Sequence, residues 1–224
     1  MIQKDRWMDE ITDKLKQKFD MRLLFAGLQG SYRRGEATEA SDFDVVVVLD
    51  ELTIKDLKEY RRLLKTMPEH EKACGFICGR EELQNWPKHE LFQFSQDTDS
   101  YYGSLEPLLP AWDETDVLRS LKISAANLYH AACHLYLFGN PSTRTADLKS
   151  LYKAVFFPLQ LAEYLRTGRY CKTKGELLQR LQGEEKSLLE KSACWEQYSE
   201  TIAANTEAAF EELTRWCGAI LKHN

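Results

Sequence analysis

The sequence has no uncharged apolar run of about 18 residues, the length a membrane-spanning helix needs, so no span is expected. Positive charge is in deficit: 30 Lys plus Arg against 35 Asp plus Glu leave a formal net charge of −5. Proteins that wrap DNA or RNA displace counterions with a basic surface, so this balance argues against a nucleic-acid partner. Cysteine is sparse and scattered, six in the chain, which reads as reduced thiols and a cytoplasmic location. Met1 to Arg6 mixes acid and base with no apolar stretch behind it, so no signal peptide is expected. Internal repeats and low-complexity tracts are missing too. What is present is ordinary for a globular chain: 43% apolar and 29% charged residues, enough to bury a full core. At about 150 residues per domain, 224 residues amount to roughly one and a half domains.

The two halves differ in texture. Trp7, Met8, Ile11, Leu15 and Phe19 recur at helical spacing and predict an amphipathic helix over 3–20. Short strands are expected at Leu23–Ala26, at Phe43–Leu49, at Ala73–Cys78 and at Leu91–Ser95. The near-continuous valines of the second suit a strand covered on both faces. Thr53 with Asp56 forms a capping box for a helix running to about Lys65, and Glu81–Trp86 predicts a short helix stopped by Pro87. Beyond Thr115 almost nothing is strand-like. Long helices are expected to Gly139, over about 146–166 with a kink at Pro158, from Thr173, and as one apolar stripe over about 195–221. The organisation expected is an α+β domain over 1–110, with a mixed sheet flanked by helices, then an all-α bundle over 111–224, joined through 105–112.

The informative segment runs from Phe25 to Val48. Gly30 lets backbone approach a ligand closely, and Ser31 sets a hydroxyl beside N–H groups at a helix start, an arrangement suited to phosphate oxygens. Asp42 and Asp44, two apart on a strand, share a face at roughly 7 Å between Cα atoms. Two carboxylates so placed suit a hard divalent cation such as Mg²⁺. A strand that buries valines does not carry two aspartates on one face without compensation.

This segment resembles the signature of the nucleotidyltransferase superfamily typified by DNA polymerase β: a Gly-Ser pair, a polar spacer, then Asp-x-Asp flanked by apolar positions. Here Gly30-Ser31 leads to Asp42-Phe43-Asp44-Val45. The longer form, Gly-Ser-Tyr-Arg-Arg-Gly through Ser-Asp-Phe-Asp, is similar to the small bacterial branch that includes aminoglycoside and lincosamide nucleotidyltransferases. Leu165 to Lys174 looks like part of the helical C-terminal domain of those antibiotic-modifying enzymes, where a Thr-Lys step opens a helix near the nucleotide. The resemblance implies an Mg²⁺-dependent transferase moving NMP, with AMP the expected group, from an NTP such as ATP to a hydroxyl of an antibiotic-like small molecule. Gly30 and Ser31 would hold the β- and γ-phosphates, Asp42 and Asp44 the metal, and Arg33 or Arg34 a phosphate. Relatives also build the site across a homodimer.

One departure from the family pattern stands out. The third carboxylate that many members carry on the next strand falls near Gly75, where none is present. A base would then come from elsewhere: Asp97 first, with Glu90 and Glu163 also considered, although Asp97 equally suits a turn. The same departure keeps open an alternative, a degenerate or antitoxin-type domain that binds nucleotide or binds and modifies a partner protein.

Other features have plainer readings. His130 and His134 stand at i and i+4, a metal-binding spacing, but without a Glu after His130 the zinc-protease motif is missing and helix packing is the expected role. Cys74 and Cys78, about 13 Å apart along a strand, read as buried thiols. Lys149, Lys153 and Lys174 are ordinary solvated lysines unless the bundle brings Lys153 or Lys174 to a triphosphate. Tyr101, Tyr102 and Trp112 read as interface packing or as a stacking platform.

Overall fold

Four short segments must hide a sheet with apolar residues on both sides, and the chain does this by placing helices against each face. A computed structural model describes residues 3–222. Helix α1 (Lys4–Phe19) precedes β1 (Leu23–Leu28), α2 (Gly30–Arg34) and β2 (Phe43–Leu49). Then come α3 (Ile54–Leu64), β3 (Ala73–Gly79), α4 (Arg80–Gln84), α5 (Lys88–Gln96) and β4 (Asp99–Tyr102). The sheet order is β3-β2-β1-β4. β1 runs antiparallel to β2 and β4, and β2 runs parallel to β3.

Strand β2 explains the valine run. Phe43, Val45, Val47 and Leu49 face Trp7, Ile11 and Leu15 of α1 and Tyr60 of α3, while Val46 and Val48 face Phe25, Leu83 of α4 and Leu91 of α5. All six are fully buried, which is why the alternation of a half-exposed strand is missing. Asp44 shares its parity with Val46 and Val48, so it lies on the α4–α5 face at the open end of the strand.

Two expectations for this half need correction. Residues 91–95 belong to α5, not to a strand: Leu91 and Phe92 are buried together on one face of a helix. The fourth strand is Asp99–Tyr102 instead, an edge strand whose half-exposed residues give no apolar signal. The capping box is as expected, with the Thr53 hydroxyl accepting from Asp56 N and the Asp56 carboxylate accepting from Thr53 N.

The chain divides into two units, Met1–Trp112 and Asp113–Asn224. The second is all helix: α6 (Glu114–Phe138), α7 (Arg144–Ala154), α8 (Phe156–Thr167), α9 (Lys174–Leu178), α10 (Gly183–Ala193), α11 (Trp195–Ala204) and α12 (Thr206–Lys222). Asp113 and Asp116 form a second capping box. The expected kink at Pro158 is a break at Val155, three residues upstream, because proline supplies no N–H to the carbonyl four residues back. The stripe over 195–221 is two helices divided at Asn205. The core gathers Leu128, Tyr152, Leu159, Leu188, Phe210 and Leu213. Glu163 is buried among them, and hydrogen bonds reach it from Arg180 Nε at 2.6 Å and Arg166 Nη2 at 2.7 Å. Burial opposes the Glu163 charge, but the two guanidiniums outweigh it and hold the carboxyl below its ordinary value.

Candidate functional site

The two halves of the signature meet because β1 and β2 are antiparallel neighbours, so the end of β1 lies beside the start of β2. Leu28, the last residue of β1, pairs with Val45, and Gln29 N donates to Asp44 O at 2.8 Å. The next residue, Gly30, turns the chain into α2 at φ +70°, a left-handed conformation that favours glycine. A β-carbon at position 30 would lie 1.8 Å from Asp44 Oδ2. The turn and the carboxylate are therefore close neighbours, and any side chain at position 30 would both strain the backbone and displace the Asp44 carboxylate. Ser31 follows as the second residue of α2 and is partly exposed.

Asp42 stands just before β2 and is exposed; Asp44, the second residue of the strand, is half-buried. Phe43 between them points the other way and packs on Trp7 at 4.5 Å and Tyr32 at 4.0 Å between ring centroids. That anchor fixes which face the two aspartates occupy, since a slip of one residue would drive both carboxylates into the α1 core.

A second feature holds the turn from the other side. Gln29 Nε2 donates to Thr98 Oγ1 at 2.6 Å and to Phe94 O at 3.3 Å. Arg33, whose side chain is only 3% exposed, donates through Nε to Asp99 Oδ1 at 3.1 Å, through Nη1 to Asp97 Oδ1 at 3.3 Å, and through Nη2 to Gln96 O at 2.8 Å. These five hydrogen bonds tie the residues flanking Gly30-Ser31 to the turn between α5 and β4. Arg33 is thus engaged in buried ion pairs and a backbone hydrogen bond, and its partner Asp97 is buried with it. Arg34 pairs with Glu36 Oε2 at 3.0 Å. The clasp joins residues more than 60 apart in sequence, so no local pattern marks it. An acidic pair spanning Thr98, opposite an arginine beside the Gly-Ser turn, is the signal that could have found it.

The missing third carboxylate has a backbone cause. Gly75 pairs with Val45 across β2–β3 at φ +124°, and a β-carbon there would lie 2.1 Å from Val45 O. No side chain fits that position. Of the other candidate bases, Glu90 accepts from Trp86 Nε1 at 2.7 Å, and Glu163 belongs to the arginine pair of the second unit. Within that unit, Lys153 is exposed on α7, while Lys174 Nζ donates to Ser192 O at 3.1 Å and lies 5.9 Å from the Phe156 ring centroid. His130 and His134 are both exposed, which overturns the packing role expected for them. Cys74 is exposed on β3; Cys78 is buried, and burial pushes its thiol up to about 12. In the first unit Tyr101 donates to Asp5 Oδ1 at 2.6 Å, and Trp112 packs on Phe92 at 4.9 Å.

Residues 8–85 match the nucleotidyltransferase domain family. A candidate protein adenylyltransferase of Methanocaldococcus jannaschii is 39% identical over 61 residues, 27% of this chain and 56% of that protein. The chain thus matches little more than half the length of this curated relative. Among solved structures, spectinomycin adenyltransferase AAD(9) from Enterococcus faecialis, determined with ATP and spectinomycin, superimposes with a TM-score of 0.59. That likeness covers 97% of this chain and 99% of the other at 15% identity, and it shows a shared fold. The residues that match the nucleotidyltransferase domain family therefore include β1, α2 and β2, the elements that carry Gly30, Ser31 and Asp44.

Proposed function

We propose that the chain transfers a nucleotidyl group, AMP from ATP, to a hydroxyl of an acceptor. The observation that carries this reading is the close approach of Gly30 to the Asp44 carboxylate, which puts a side-chain-free turn against an aspartate at the start of β2, with Asp42 two residues before it. Among the described residues no cluster of three or more His, Cys, Asp or Glu is arranged around a metal. The Asp42–Asp44 donor set nonetheless fits Mg²⁺, which takes one or two carboxylates and leaves its other positions to water and substrate phosphates. Bound there, the ion would neutralise charge on the triphosphate.

The chain's own part is to present backbone N–H groups and the Ser31 hydroxyl to phosphate oxygens and to keep the turn rigid through Gln29 and Arg33. The acceptor oxygen attacks the α-phosphorus as the bond to the β-phosphate oxygen breaks. Pyrophosphate leaves and the hydroxyl proton passes to a base. A small hydroxylated acceptor is our first reading, in line with the spectinomycin bound by the structural neighbour. A protein hydroxyl is the second, favoured by the name of the archaeal relative.

Pyrophosphate release from Mg·ATP, measured with a panel of aminocyclitols and with candidate proteins, tests the proposal. Wild type should turn over with at least one acceptor. Asp44→Asn should lose at least about 10²-fold, the scale of removing one preorganised electrostatic contact from a transfer site. Equal turnover by the two would overturn the assignment of Asp44.

A further inference from the structure

Imidazole nitrogen attracts borderline transition metals, whereas carboxylate and phosphate oxygens suit Mg²⁺. The chain separates these two donor types. On α6, His130 and His134 are one helical turn apart, with ring centroids 6.1 Å apart and planes tilted by 35°. Both are exposed, and His134 also touches the Phe138 ring at 5.2 Å. With metal–nitrogen bonds of about 2.1 Å, each ring centroid stands roughly 3.2 Å from a shared ion, so two rings on one ion are separated by at most roughly 6.5 Å. The observed separation lies inside that limit.

The surrounding face also admits a cation. Ile123, Ala126, Asn127, Leu137 and Phe138 share the exposed stripe at helical spacing, and none carries a positive charge to repel one. Cys133 is half-buried, whereas both imidazoles are exposed, so the imidazoles are the accessible donors on this face.

The geometry points to a metal site apart from Asp42 and Asp44: His130 and His134 together bind one divalent transition-metal ion, Zn²⁺, Ni²⁺ or Cu²⁺, through neutral imidazoles. Among the described residues no third His, Cys, Asp or Glu completes the set, so the remaining positions go to water or to donors from another molecule. The two ligands on successive turns pin the helix between them, so binding stabilises the folded second unit by an amount that rises with the logarithm of ion concentration above the dissociation constant.

The test is calorimetric titration of the full chain, made without a polyhistidine tag, with NiCl₂ and ZnCl₂, alongside thermal melts with and without Ni²⁺. Wild type should show a saturable site and a rise in melting temperature. His130→Ala and His134→Ala should each weaken binding at least about tenfold, and the double variant should lose both binding and the temperature rise. Both positions are exposed, so melts without metal should match wild type. No saturable heat in wild type would overturn the inference. So would unchanged affinity in the double variant, which would move the binding to His70, His89, His223 or the aspartates.

Discussion

The two units bury opposite charges. In the first, the Arg33 guanidinium is enclosed and carboxylates of Asp97 and Asp99 hold it; in the second, the Glu163 carboxylate is enclosed and Arg166 and Arg180 hold it. The difference that matters is what remains when the central group is removed. Asp97 is itself buried, with its side chain 11% exposed, whereas Arg166 and Arg180 reach water at 52% and 31%. Deleting a buried charge is costly chiefly when its partner cannot be solvated. The first clasp is therefore the more fragile, and it sits beside the Gly30-Ser31 turn; the second joins helices of the bundle core.

This comparison sets an order of effects. Arg33→Ala should destabilise the first unit most, by about 3 kcal/mol, because it removes a buried guanidinium that binds Asp97, Asp99 and the Gln96 carbonyl at once. Urea unfolding followed by fluorescence should show the loss in the signal of Trp7, Trp86 and Trp112, which lie in that unit, and not in that of Trp195 and Trp216. Equal shifts in both signals would break the contrast. Glu163→Gln comes next, at about 1–2 kcal/mol in the second unit, since the arginines can turn to water. Its cost should also depend on pH. The folded carboxyl titrates below its ordinary value, so its contribution is present in full above about pH 4.3 and fades as acid protonates it. The variant should thus approach wild type as acid protonates the folded carboxyl. Urea midpoints at neutral and acid pH measure this, and a penalty that grew in acid would contradict the direction given for Glu163. Smallest is Thr53→Ala, which removes a cap that takes part in neither clasp and should cost about 1 kcal/mol in the first unit alone.

The same contrast explains what the sequence made legible. Local chemistry was readable: the capping box at Thr53–Asp56, the buried valines of β2, and Gly30 as a turn glycine each depend on residues within a few positions. Long-range chemistry was not. Arg33 reads as a phosphate candidate until residues 96–99 are folded against it, and Asp97 reads as a base until Arg33 claims it. The misplaced fourth strand has a similar cause. Bulky residues at 91–95 fit strand propensity, but tertiary packing places Leu91 and Phe92 on one face of a helix, and the polar edge strand at 99–102 is stabilised by pairing with β1. The vacancy at Gly75 could be seen as a missing carboxylate, but its reason, a left-handed glycine pressed on Val45, exists only in the paired sheet.

We propose that Asp44, beside the Gly30 turn, and Asp42 form a metal-dependent nucleotide site. Calorimetric titration of a non-hydrolysable ATP analogue with Mg²⁺ into wild type and into Asp42→Ala/Asp44→Ala tests it most directly, with a melt of each protein to establish folding. The account predicts saturable binding by wild type that disappears in the double variant and in wild type stripped of divalent metal with EDTA. Equal affinity in the two folded proteins would contradict it.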